Sequence, residues 1–226
     1  MNVVWVASYP RSGNSWMRRF ISYYLTGIFG DEMVRQVCPD LHELLPMGRG
    51  LNENYDGSIL CKSHFVLSPQ HPYFSRTAGI IYFCRYPKDV LLSCLQYHKD
   101  EKTMEIESDA AYARAFIQNM GDPRWKAMGM GNWVENVASW LARSADHAHC
   151  LFRYESLIRD TERELVRLAR FLTPDEEIRM DRIRVFIESQ SGHTPKSMQS
   201  LDRIEQGLDE LFDERFHDVL SLLGYA

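Results

Sequence analysis

Four short runs of apolar, β-branched and aromatic residues punctuate the chain: VVWVASY at 3–9, SILCKSHF at 58–65, GIIYFCRY at 79–86 and HCLFRYESL at 149–157. Runs of this length without clean alternation predict strands buried on both faces, as in a parallel sheet. Helix-period segments lie between them. One, 16–25, follows the first run directly, and another, 87–98, follows the third. A third covers 132–145, before the fourth run, and a fourth covers 160–172, after it. The segments 173–190 and 201–225 predict closing helices, separated by the polar stretch SGHTPKSMQ at 191–199. This alternation predicts an α/β, three-layer fold around a central parallel sheet, with ligands bound at the carboxyl ends of its strands. Segments 27–57 and 99–130 carry no clear period. Each follows a strand–helix unit, and they read either as covers over the active face or as solvated loops.

Composition narrows the class. With 226 residues, 45% hydrophobic and 25% charged, and no internal repeat or linker, the chain reads as a single domain spanning 1–226. A net charge of -5 argues against a general nucleic-acid binder, which gains affinity by neutralising phosphates. A local basic pocket for one anionic ligand is compatible with that balance. The five cysteines (38, 61, 84, 94 and 150) are odd in number and scattered, as buried thiols in a reducing compartment are, and no metal is expected. The apolar run before Pro10 is too short for a membrane span or a secretory signal, so the expected location is cytoplasmic.

Three loops carry chemistry. After the first run, YPRSGNSW places Arg11, Ser12, Gly13, Asn14 and Ser15 just before a helix. Unpaired N–H groups at a helix N-terminus favour an anion, glycine permits close backbone approach, and arginine offers a bidentate fork. The nucleotide-triphosphate loop G-x-x-x-x-G-K-[ST] is not matched. The third run ends in RYPKDVLLS, with Arg85 at the strand end and Ser93 two helical turns further on. Together these two could grip a second phosphate, and they read equally as a surface arginine and an ordinary helix serine. The second run ends in KSH, where Lys62 and His64 point to one side if the segment is extended. A neutral imidazole there could take a proton from an attacking hydroxyl, and Lys62 could neutralise charge on a transferring group.

Taken in order, these segments resemble the sulfotransferases that use 3′-phosphoadenosine 5′-phosphosulfate (PAPS). YPRSGNSW resembles the family's 5′-phosphosulfate loop, Y-P-K-S-G-T-T-W, and RYPKDVLLS its 3′-phosphate motif, R-N-P-K-D-V-x-x-S. KSH is similar to the K-T-H of the catalytic strand, GNWVENVASW to G-x-W-x-x-H-V-x-S-W, and RYESL to R-Y-E-D-L. The resemblance implies a sulfuryl transfer from PAPS to a hydroxyl or amine of a small-molecule or natural-product acceptor, releasing 3′-phosphoadenosine 5′-phosphate (PAP). It implies Arg11 to Ser15 around the phosphosulfate, Trp16 on the adenine, Arg85 and Ser93 on the 3′-phosphate and Tyr154 at the adenine end. His64 would be the general base, with Lys62 and Arg11 assisting. The other reading of Trp16 is a helix-face core tryptophan, and Tyr154 reads equally as buried strand packing. Three positions depart from the pattern. Arg11 replaces lysine, Asn136 replaces histidine, and the family's C-terminal R-K-G-x-x-G-D-W-K loop has no clear counterpart, which leaves Lys196 as its substitute. Two rival readings stand beside this one: a P-loop kinase for a small molecule, and a non-catalytic nucleotide binder of the same fold. The general pattern looks bacterial.

Overall fold

The computed structural model describes residues 1–143, 145–190 and 200–225. Lys196 lies outside them. Strand β1 (Asn2–Ser8) sits between β2 (Ser58–Ser63) and β3 (Thr77–Cys84), and β4 (Ala148–Arg153) pairs with the far edge of β3. The order is β2-β1-β3-β4 and every pairing is parallel. Trp5 is the register mark, opposite Cys61 on one side and Ile80 on the other.

Because successive side chains of a strand point to opposite faces, β1 feeds two cores. Val3, Trp5 and Ala7 enter one, while Val6 enters the other. The first core is closed by α4 (Pro87–Glu101), α5 (Asp109–Asn119), α7 (Trp133–Leu141) and α11 (Leu208–Leu222), through Val90, Phe116, Trp140 and Phe212. The second is closed by α1 (Asn14–Thr26), α9 (Thr161–Leu172) and α10 (Met180–Ser189), through Phe20, Leu168 and Phe186. The result is the three-layer α/β arrangement that the alternation of runs predicts.

Three expectations change. The fourth run does not stay extended to 157: β4 ends at Arg153, and Tyr154–Arg159 is a short helix, α8. Its neighbour β3 ends at Cys84, opposite Arg153, so no ladder partner exists beyond that point. The segment 173–190 is helical only over Met180–Ser189. The two patternless segments hold short helices. These are α2 (Asp31–Val37) and α3 (Leu41–Leu44) in one, and α5 and α6 (Pro123–Trp125) in the other.

The C-terminal end is tied back to the sheet. Lys88 on α4 donates to Asp209 on α11 at 2.7 Å. Arg153 donates to the Gly224 carbonyl at 2.9 Å, and Tyr225 donates to Glu155 at 3.2 Å. The other Glu155 oxygen accepts the Tyr86 N–H at 2.8 Å, so the chain end and the loop after β3 share one carboxylate. Among the described residues, no helix is long and apolar enough to cross a membrane.

Candidate functional site

A cavity of about 990 Å³ opens where β1, β2 and β3 end, and residues of all three sequence loops line it. The first loop is shaped by two left-handed residues, Arg11 at φ 66° and Gly13 at φ 91°. Gly13 precedes α1 without a side-chain cap, which leaves the first-turn N–H groups pointing outward. The Ser12 hydroxyl is 2% exposed and has no hydrogen-bond partner among the described residues. A buried polar atom left unmatched costs free energy, so a loop holding one is suited to an incoming acceptor oxygen. Asn14 departs from expectation: its amide turns inward, donating to the Val6 carbonyl at 3.0 Å and the Ser8 hydroxyl at 3.2 Å. Its side-chain donors brace β1, and its main chain faces the loop.

The third-strand motif meets this loop. Arg85 donates to the Arg11 carbonyl at 3.1 Å and stacks over the Tyr154 ring at 4.3 Å. The Trp133 indole donates to the Arg85 carbonyl at 3.2 Å. Ser93 engages the first loop directly, accepting from Arg11 Nε at 3.1 Å. The Arg11 guanidinium also lies 4.9 Å above the Tyr97 ring. Trp16 lines the apolar end with Leu157, Ile158 and Ile187, its ring edge-on to Phe186 at 5.0 Å.

At the opposite end stand Lys62 and His64. His64 Nδ1 donates to the Ser8 carbonyl at 2.7 Å, which fixes the proton on Nδ1 and leaves the Nε2 lone pair uncommitted. Burial, with Lys62 and His42 nearby, pushes the imidazole well below its ordinary 6.5. It is therefore neutral at neutral pH, the state a base requires. The Asn136 amide donates to the His64 carbonyl at 2.7 Å and the Met130 carbonyl at 2.8 Å, while its oxygen accepts from Tyr82 at 2.8 Å. A buried asparagine with three such bonds explains its departure from the histidine pattern: it ties the strand end carrying His64 to the turn before α7. Lys62 forms an ion pair with Asp40 at 2.5 Å, and Arg18 approaches the same carboxylate at 3.7 Å. Beyond His64 the wall is built from Tyr97, Arg124, Trp125, Met128 and Met130. Sequence reasoning missed Asp40 and His42. Neither belongs to a motif, and their contacts with the second strand appear only once the chain folds.

The matching family model is the sulfotransferase domain, over residues 2–201. Human sulfotransferase 4A1 is 28% identical over 178 residues, covering 75% of this chain and 59% of that protein. The guinea-pig (Cavia porcellus) 3-beta-hydroxysteroid sulfotransferase is 28% identical over 173 residues, covering 73% of this chain and 56% of that protein. The chain thus spans less than two thirds of the length of these curated relatives. Among solved structures, mouse sulfotransferase SULT7A1 complexed with PAP superposes with a TM-score of 0.64 at 21% identity, covering 99% of this chain and 88% of that one. Retinol dehydratase, in complex with androsterone and PAP, superposes with a TM-score of 0.70 at 16% identity, covering 96% and 80%. These two likenesses agree on the fold, and the family model spans most of the sequence: the chain belongs to the sulfotransferase family.

Proposed function

We propose that the protein transfers a sulfuryl group from PAPS to a hydroxyl of a small apolar or aromatic acceptor. The observation that carries this reading is one continuous cavity lined by Arg11, Gly13, Ser15, Arg85, Ser93, Lys62 and His64. The donor supplies the activated sulfuryl group and a nucleotide leaving group. The Ser12 hydroxyl and the first-turn N–H groups would hold its 5′ end, and Arg85 and Ser93 its 3′-phosphate. Trp16, Leu157 and Ile187 offer an apolar surface for the base, beside Tyr154.

His64 Nε2 would accept the acceptor's hydroxyl proton, its tautomer held by Ser8. Lys62 and Arg11 would stabilise negative charge developing on the transferring and leaving groups. Tyr97, Trp125, Met128 and Met130 make an adaptable apolar wall that excludes water around the acceptor. Five buried free thiols fit a reducing, cytoplasmic setting.

Calorimetric titration tests the donor. PAP is expected to bind at least tenfold more tightly than AMP, about 1.4 kcal/mol for the second phosphate. Equal affinities would remove Arg85 and Ser93 from that role. His64→Ala is expected to keep PAP binding within about twofold and to lose most transfer in a labelled-donor screen of hydroxyl acceptors. Full turnover in that variant would exclude His64 as the base.

A further inference from the structure

His64 sits one residue beyond the end of its strand. The last ladder pair is Ser63 with Ala7, so no strand bond holds the His64 N–H. A second histidine does. The His64 N–H donates to His42 Nε2 at 2.8 Å, with the two rings 5.4 Å apart. A main-chain N–H can only donate, so His42 Nε2 carries a lone pair and the neutral ring holds its proton on Nδ1.

His42 is itself firmly placed. Its ring stacks on Phe65 at 3.9 Å. Its N–H donates to Asp40 Oδ1 at 3.0 Å, capping α3, and the other oxygen of that carboxylate takes Lys62. The two segments run side by side in parallel. Residues 40 and 42 of one engage residues 62 and 64 of the other, and the Lys62 N–H donates to the Pro39 carbonyl at 2.8 Å. Arg18 on α1 fastens the first segment, donating to the Cys38 carbonyl at 2.6 Å.

We propose that His42 is a positioning residue for the base: it fixes the backbone of His64, so that the His64 ring stays bonded to Ser8 and presents Nε2 to the cavity. The proposal rests on the sulfuryl-transfer reading only for its consequence in turnover. Without His42 the His64 N–H is a part-buried donor with no protein partner, and where an apolar ring fills the place of the imidazole and keeps water out, the residue satisfies it by moving. The charged and titratable groups around the pair are Lys62, Asp40, Arg18 and His71, and burial holds His42 down at about 4. His42 therefore stays neutral, and able to accept, at neutral pH.

The test is nitrogen NMR of the full chain with labelled histidine, comparing wild type, His42→Phe and His42→Gln. Phenylalanine keeps the stack on Phe65 without an acceptor, and glutamine restores an acceptor oxygen. Wild type is expected to show His64 as a single Nδ1–H tautomer that titrates below 6.5. In His42→Phe the tautomer becomes mixed and the titration moves back toward 6.5. Turnover falls on the order of tenfold or more, while PAP affinity is kept within about twofold. His42→Gln recovers the tautomer and most of the rate. An unchanged His64 tautomer and titration in folded His42→Phe overturns the proposal, as does a glutamine variant no better than phenylalanine. Should His42→Phe not fold, His42→Leu makes the same comparison. A lost tautomer with full turnover would support the positioning role and sink His64 as the base.

Discussion

A side chain at position 13 would meet two obstacles at once. The backbone there is left-handed, at φ 91°, and a Cβ would lie 2.9 Å from the Tyr154 ring. Gly13→Ala is therefore expected to cost about 1–3 kcal/mol in stability and to weaken PAP binding by more than tenfold, because the ring it displaces supports Arg85. Thermal unfolding and calorimetry check both parts, and a variant with native affinity would show that the loop relaxes freely. At this scale the gathering of Gly13, Arg85 and His64 around one cavity was legible, because residue type and spacing place each at the end of a strand or loop. The inward turn of Asn14 and the three bonds of Asn136 were not. An amide's partners are chosen by whichever carbonyls the fold brings near, and here these are Val6, His64 and Met130.

Among the elements, α11 is fastened in part through the Asp209 carboxylate, with Lys88 also 3.7 Å from Asp213. Burial by itself would raise the Asp209 pKa, but donors from Lys88, the Ser200 hydroxyl and the Leu201 N–H prevail and hold it at about 2, below its ordinary 3.8. A carboxyl depressed in the folded state adds stability above its unfolded value and loses it as pH falls through the folded one. The α11 attachment should thus be intact at pH 5 and weaken between 3.8 and about 2. Lys88→Ala should bring that loosening to neutral pH. Hydrogen exchange is the measurement: faster exchange in α11 with β1 and β3 still protected is expected, and unchanged α11 protection would show that Phe212 and Phe216 suffice. The lysine was visible only as part of RYPKD. That it reaches forward to Asp209, 121 residues on, is a long-range pairing no local pattern encodes.

For the molecule as a whole, three imidazoles set the response to acid, His71 buried and His42 and His64 half-buried. Burial lowers His42 and His71 to about 4 and pushes His64 well below 6.5. The unfolded chain binds these protons first, so folding stability should fall as pH drops from 6.5 toward 4. Each histidine contributes up to about 1.4 kcal/mol per pH unit across that window. Urea unfolding at pH 7 and pH 5 checks this. Equal stability would mean that these rings titrate as they do in the unfolded chain. The overall architecture was the most legible level, since strand runs such as 79–86 and their following helices write the sheet into the sequence. The order of strands was not legible: β1 lies inside the sheet because β2 and β3 both pair with it, a choice made by packing rather than by pattern.

The bond from Arg85 to the Arg11 carbonyl has a consequence for how donor preference can change over time. Under the proposed function, the side chain that reads one phosphate also pins the loop that cradles the other. A substitution at Arg85 would therefore not leave a working site for a donor with a single phosphate group; it would slacken both ends together. Drift from a doubly phosphorylated donor toward a simpler nucleotide would first have to rebuild the left-handed turn at Arg11 by other means.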